Sequence, residues 1–310
     1  MYMNIHCLWM YDMDDLIKQD IDFLESPLWM QNFEQNELGL TWKDKQGYIY
    51  KTTYKAPVRT DMIVLYYLLL KVQENNWNRK LELSKYEILN YCGLGLGKRS
   101  YERLEDTLMR WTFLRIGFKN ILYGGENKSG VYGVIHEYEW PEDGKSKVKI
   151  ELSEKFLERI KDSEFYKLIN FNEIKALKTP LATRLYEILG KTFKGRNEWS
   201  IDAHKLANKI PMQEKYLTHI IAKIKPAINR INKKTTLNLN LEIRKKEKGT
   251  AVLVFRLINK QIATKPEKKK LDFSTGGMTE WANSPKNRIK TMGKTTQEII
   301  AMMKKEKNYN

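Results

Sequence analysis

Cysteine is scarce in this chain of 310 residues: Cys7 and Cys92 stand far apart, so neither a disulfide framework nor a cysteine zinc site is supported, and a reducing cytoplasm fits. Histidine is equally sparse. His6, His136, His204 and His219 include no pair at helical or alternating spacing, so no metal centre is expected, which counts against a strand-nicking enzyme that needs clustered histidines beside a nucleophilic tyrosine. Long apolar runs are missing as well. The longest, Met62 to Leu70, is too short to span a bilayer and predicts a buried helix, so no membrane association is expected. Acids at Asp12, Asp14 and Asp15, with no basic segment ahead of an apolar one, predict no secretory leader. The run Gly93-Leu94-Gly95-Leu96-Gly97-Lys98-Arg99-Ser100 is not a phosphate loop. It has three residues between the outer glycines instead of four, Arg99 where a hydroxyl must follow the lysine, and a helix rather than a strand before it. A turn between two helices is expected there. The carboxylates show no grouping that stands out as a two-metal nuclease site. No enzyme, catalytic residue, metal or cofactor is therefore expected, and the simplest account is binding without bond cleavage.

What the chain has in surplus is positive charge: 55 Lys and Arg against 38 Asp and Glu, a net +17. It is concentrated. From Ala203 to Ala263 fourteen cations face three acids, a net +11, while the residues after Ala263 add +6 and residues 1 to 58 carry −4.

Within the cationic stretch, Asp202 is a cap for a short helix from Ala203 to Ile210, Pro211-Met212-Gln213 makes a turn, and a longer helix runs from about Glu214 to Asn232. This is helix-turn-helix order. Leu217, Ile220, Ile221, Ile224, Ile228 and Ile231 form one apolar stripe on the second helix, and His219, Lys223, Pro226, Asn229 and Arg230 point away from it. Cations and an amide on an outward face are the groups that reach phosphates and base edges in a major groove. Leu237, Leu239, Leu241 and Ile243 then alternate with Asn238, Asn240 and Glu242, and a second apolar run starts at Val252. Between them lies Arg244-Lys245-Lys246-Glu247-Lys248-Gly249, a cationic hairpin tip like the wing of a winged helix.

Upstream, the same order is expected once more. Thr60 caps a helix reaching Glu74, Leu81 and Leu83 give a strand, and Ser84 with Glu87 forms a capping box for a helix ending at Tyr91. A third helix runs from Lys98 to Trp111, with Tyr101, Leu104, Leu108 and Trp111 inward and Arg99, Arg103, Asp106 and Arg110 outward. Phe113–Tyr123 and Val131–Trp140 then pair across residues 124–130, and Val148, Ile150 and Leu152 add a third strand. A strand from Gly47 to Tyr54 is expected to join that sheet. In the second unit Ser153 starts a connecting helix, Tyr166 to Phe171 is extended, Pro180 opens a helix to Gly190, and Trp199 and Ile201 supply a strand. The fold class expected is α+β, with two tandem winged-helix domains at 58–152 and 153–263, an acidic N-terminal arm over 1–57, and a basic, flexible tail over 264–310. The arm is open between a docking segment and a partly ordered leader, and Thr296 to Lys305 is a candidate short helix in the tail.

The segment Ile224-Lys225-Pro226-Ala227-Ile228-Asn229-Arg230-Ile231-Asn232-Lys233-Lys234-Thr235 resembles the end of the second winged helix in theta-replicating plasmid initiators. Phe171 to Ile174, Pro180 to Leu189 with its Arg184-Leu185-Tyr186, and Leu83 to Leu89 are similar to the replication initiator protein A group, over about residues 59 to 260. The resemblance implies binding of directly repeated double-stranded origin sites (iterons), local origin opening, recruitment of host initiator and replicative helicase, and a homodimer in equilibrium with the monomer. From the outward helix face and the cationic tip, Lys223, Asn229 and Arg230 are expected to contact DNA, with His219 at the outer face of the helix, and Arg244, Lys245, Lys246 and Lys248 on phosphates. Lys98, Arg99 and Arg103 are their first-domain counterparts. The alternative is a winged-helix transcriptional repressor or partition-associated DNA-binding protein without a replication role.

Overall fold

The apolar run Met62–Leu70 is buried along its whole length, in a helix that packs against Leu16–Asp20 before it and Phe171–Leu177 far after it. In this computed structural model residues 15–25, 28–30, 39–43, 48–123, 126–143, 146–193, 195–210, 212, 214–246 and 249–258 are described, with backbone only over 119–128. They open with β1 (Leu16–Asp20), α1 (Ile21–Glu25), β2 (Thr41–Lys43) and β3 (Tyr48–Thr52). The apolar helix α2 (Arg59–Glu74) leads into the first half: β4 (Lys80–Leu83), α3 (Lys85–Tyr91), α4 (Lys98–Phe113), β5 (Leu114–Tyr123), β6 (Glu126–Gly133), β7 (Ile135–Glu139) and β8 (Val148–Leu152). The second half holds α5 (Glu154–Lys161), β9 (Tyr166–Asn170), α6 (Phe171–Leu177), α7 (Pro180–Thr192), β10 (Glu198–Asp202), α8 (Ala203–Lys209), α9 (Leu217–Lys234), β11 (Leu239–Lys245) and β12 (Ala251–Leu257). Strand orders are β1-β9, β2-β3-β5-β6, β4-β8-β7 and β10-β12-β11, with antiparallel pairing throughout the named strands. The chain is thus a mixed α and β protein with open antiparallel sheets. The tail and its candidate helix at Thr296 to Lys305 lie outside the described residues.

Side-chain caps open α3, α6 and α8. Ser84 Oγ accepts the Glu87 amide at 3.0 Å, and Asn170 Oδ1 accepts the Glu173 amide at 3.0 Å, opening α3 and α6. Asp202 Oδ1 accepts from the amides of His204 at 2.9 Å and Lys205 at 3.2 Å, as expected for the cap of α8. Its replacement by alanine is expected to lower folding stability by about 1 kcal/mol, measured by urea denaturation. Gly93–Gly97 forms the turn between α3 and α4, with Gly93 in the left-handed region at φ 65°, and Lys98–Ser100 already belong to α4.

Three expectations for the first half need correction. Helix α2 starts after Val58, not at Thr60, because the buried Asp61 carboxylate accepts the Val58 amide at 2.7 Å and draws the first turn back. Arg110 points inward: its guanidinium meets Asp61 at 3.4 Å and Asp106 at 2.7 Å, since the buried carboxylate needs a partner more than the surface needs a cation. The strands after α4 do not make one hairpin. Tyr123 lies opposite Glu126, so Glu126–Gly130 is strand, and β7 leaves to pair with β8. The consecutive Val134 and Ile135 are both fully buried, which a straight strand with alternating faces does not permit on a one-sided sheet, and the chain bends between the two sheets.

Parts of the acidic stretch 1–57 enter the fold. β3 pairs with β5, as expected for the Gly47–Tyr54 strand. β1 pairs with β9, Leu16 opposite Asn170, and the carbonyls of Leu24 and Glu25 at the end of α1 accept from the Arg184 guanidinium at 2.8 and 2.6 Å. The two halves share one core. Tyr66 donates to Glu187 at 3.0 Å across it, and the rings of Tyr67, Tyr91 and Phe171 pack with centroids 5.0 and 5.6 Å apart from Tyr91.

Candidate nucleic-acid interface

Helix α9 is built from one apolar stripe and one polar face. Ile220, Ile224, Ile228 and Ile231 are buried and Leu217 and Ile221 half-buried, while His219, Lys223, Lys225, Pro226, Asn229 and Arg230 are exposed. The outward face expected from the 3.6-residue period is therefore outward, although the helix begins at Leu217 rather than Glu214. Pro226 lies on the exposed side, where its missing N–H leaves no buried carbonyl unpaired.

The Ile231-Asn232-Lys233-Lys234-Thr235 segment joins the helix to the hairpin. Ile231 is in the core. Asn232 clamps the start of β11 from both sides, its Nδ2 donating to the Leu239 carbonyl at 2.8 Å and its Oδ1 accepting the Leu239 amide at 2.9 Å. Thr235 donates to the Ile231 carbonyl at 2.9 Å and ends the helix. β11 and β12 then run in register from Leu239 opposite Leu257 to Lys245 opposite Ala251, and the Lys246 amide meets the Thr250 carbonyl at 2.9 Å. Underneath, Trp199 of β10 stacks on Phe255 of β12 at 5.6 Å.

The charge on the hairpin is graded along its length. Arg244 holds Glu242 through two bonds, at 2.7 and 3.2 Å, and Arg256 bridges Glu242 and Glu198 at 2.5 and 2.6 Å. Hydrogen bonds from Arg244, then Arg256, hold the Glu242 carboxyl at about 2. These opposite charges cancel at the middle of the hairpin, and toward the tip Lys245 and Lys246 are exposed, with no ion pair to another described residue. Arg244 is exposed but already engaged, and Lys248 lies outside the described residues. On α9, Lys223 pairs with Glu214, whose carboxyl the lysine's hydrogen bond lowers. Arg230 Nη1 donates to the Leu177 carbonyl at 3.2 Å. The structure thus gathers His219, Lys223, Asn229 and Arg230 on one helix face, with the hairpin fixed to that helix through Asn232.

The first-half residues form a separate group on α4. Lys98 and Arg99 are exposed, Lys98 lying 3.9 Å from Glu102, and Arg103 is half-buried. Sequence reasoning missed Tyr216, 70% exposed just ahead of α9 with its ring 5.6 Å from that of His219, and the exposed Thr218, Ala222 and Lys225. The last three were available from the same helical period. Among the described residues no group of three or more His, Cys, Asp or Glu side chains is placed to hold a metal ion, and no helix is long and apolar enough to cross a membrane.

The fold is similar to the crystal structure of the selenomethionine derivatives of domain 2 and domain 3 of RctB, with a TM-score of 0.54 at 14% identity, covering 76% of this chain and 98% of that one. A second crystal structure of RctB domains 2–3 gives a TM-score of 0.48 at 13% identity over 71% of this chain and 91% of that one. No curated protein matches the sequence. The sequence model of replication initiator protein A matches residues 60–218, ending in the first turn of α9, so most of that helix and the hairpin lie beyond it. Residues 60 to 218 are 159 of the 310 residues, more than half, and the chain belongs to the replication initiator protein A family.

Proposed function

We propose that this replication initiator binds directly repeated duplex sites in plasmid origin DNA through two winged-helix units, with α9 and the β11–β12 hairpin as its main DNA surface. The observation that carries this is the exposed cationic face of α9 locked to a hairpin whose tip holds Lys245 and Lys246. A helix of this diameter fits a major groove about 12 Å wide, and a cationic finger beside it reaches the flanking phosphates. The polar residues outward on α9 read base edges. Lys98, Arg99 and Arg103 of α4 add backbone contacts on an adjacent segment, and the basic tail adds charge. The chain binds without cleaving bonds, works in the cytoplasm on plasmid DNA, opens the origin locally and recruits host initiator and helicase, with a dimer in exchange with the monomer.

Footprinting on the encoding replicon tests this. Protection of a set of direct repeats is expected, and protection of no repeated site would sink the reading. Lys245→Ala or Lys246→Ala is expected to weaken all duplexes about equally, lowering the slope of log affinity against log salt by about 0.9 for each phosphate no longer neutralised.

A further inference from the structure

Two guanidiniums, one from each half, reach the same end of α6. Arg59, the first residue of α2, donates from Nε to Thr183 Oγ1 of α7 at 2.8 Å and from Nη2 to the carbonyls of Ile174 and Lys175 at 3.2 and 3.3 Å. Arg230 comes from α9 and donates from Nη1 to another carbonyl of the same α6 end, that of Leu177. Neither guanidinium has a carboxylate within ion-pair distance among the described residues. An arginine has five N–H donors, so Nη1 of Arg59 and Nε and Nη2 of Arg230 are left for another partner. Arg59 is half-buried, and burial followed by the nearby Arg230 brings its guanidinium down to about 10, against the opposing pull of Glu187. Two like charges at one helix end, neither in an ion pair with a described carboxylate, are an arrangement that an anion relieves. The planar fork of arginine matches phosphate oxygens.

We propose that Arg59 and Arg230 form a phosphate-binding pair at the seam between the two halves, filled by a phosphodiester of the duplex that lies on α9. The proposal rests on the duplex-binding function above. Arg59 belongs to the first half and Arg230 to the second, so one DNA phosphate bound by both ties the halves together when the protein is on DNA. The α6 carbonyls fix one edge of each guanidinium and leave the other edge for the ligand.

The test uses the full chain and origin duplex in a salt titration followed by fluorescence anisotropy, with thermal melting of each variant as the folding control. Arg59→Gln and Arg230→Gln are each expected to weaken binding about five- to tenfold at about 0.1 M salt and to lower the salt slope by up to about 0.9. Because they hold the same phosphate, the double variant is expected to lose much less than the product of the single losses. Arg59→Lys, which keeps the charge, is expected to retain most of the slope. Wild-type binding with an unchanged affinity and slope in Arg59→Gln, even if the melting temperature falls, would overturn the pair and leave Arg59 as a brace for α6. Fully multiplicative losses would also overturn the shared phosphate. No duplex binding by the wild type would overturn the function itself. ATP and inorganic pyrophosphate distinguish a free phosphate source: stabilisation of the wild type that Arg59→Gln loses, with duplex binding unchanged, would move the site away from DNA.

Discussion

Replacing Arg184 with alanine is expected to lower folding stability by about 3–5 kcal/mol, a large share of the stability of a typical domain. Its guanidinium is 1% exposed and holds three groups from two parts of the sequence: the carbonyls of Leu24 and Glu25 at the end of α1, and the Glu187 carboxylate at 2.9 Å. Without it Glu187, itself buried, keeps a hydrogen bond from Tyr66 but no cation. Burial raises the Glu187 carboxyl, against the pull of Arg184. A carboxyl raised in the folded state contributes stability that is present below its unfolded value and lost as pH rises through the folded one. Removing Arg184 raises it further, so the loss is expected to be smaller in mildly acidic buffer than at neutral pH. Urea unfolding at several pH values measures this, and a pH-independent loss would point to packing alone. Arg184→Leu with Glu187→Leu is expected to recover much of the stability, since replacing both partners removes the stranded charge.

The second large effect is on binding. Lys223→Ala with Asn229→Ala is expected to weaken the preferred duplex by about 2–6 kcal/mol, on the basis of roughly 1–3 kcal/mol for each base-edge contact. The two changes separate in salt. Asn229 carries no charge and displaces no counterion, so Asn229→Ala is expected to leave the salt slope as it is and relax preference at one base pair. Lys223→Ala is expected to lower the slope if its ammonium also meets a phosphate. Equal losses on preferred and unrelated duplexes for Asn229→Ala would remove it from base reading.

The legibility of these features in the sequence follows how local their causes are. The α9 stripe and the alternation through Leu239, Leu241 and Ile243 depend on neighbours a few residues apart, and both elements form where periodicity places them. The capping pairs at Ser84 and Asp202 are equally local. What the sequence hides depends on distant partners. Leu16–Asp20 forms a strand because β9, about 150 residues later, offers it an edge, and helical or alternating patterning within the arm carries no sign of that. One local signal runs against the expectation: Asn170 caps a helix over Phe171–Leu177, where the extended piece is expected to reach Phe171. Arg110 has the period of an outward residue yet turns in to Asp61, 49 residues away. At the candidate surface the positions of His219, Lys223, Asn229 and Arg230 are legible. The Glu242–Arg244 pair follows the same-face spacing of a strand, whereas the share of Glu242 that Arg256 takes from the neighbouring strand depends on the hairpin register and is not legible.

Lysine acetylation of the full chain, read by mass spectrometry with and without bound origin duplex, asks directly which surface faces DNA. Strong protection of Lys223, Lys245 and Lys246 is expected when duplex is present. Lys80 and Lys155, 70% and 71% exposed, are expected to react equally in both states. Protection of those distant lysines, with Lys223 and the hairpin tip as reactive on DNA as off it, would contradict the central claim.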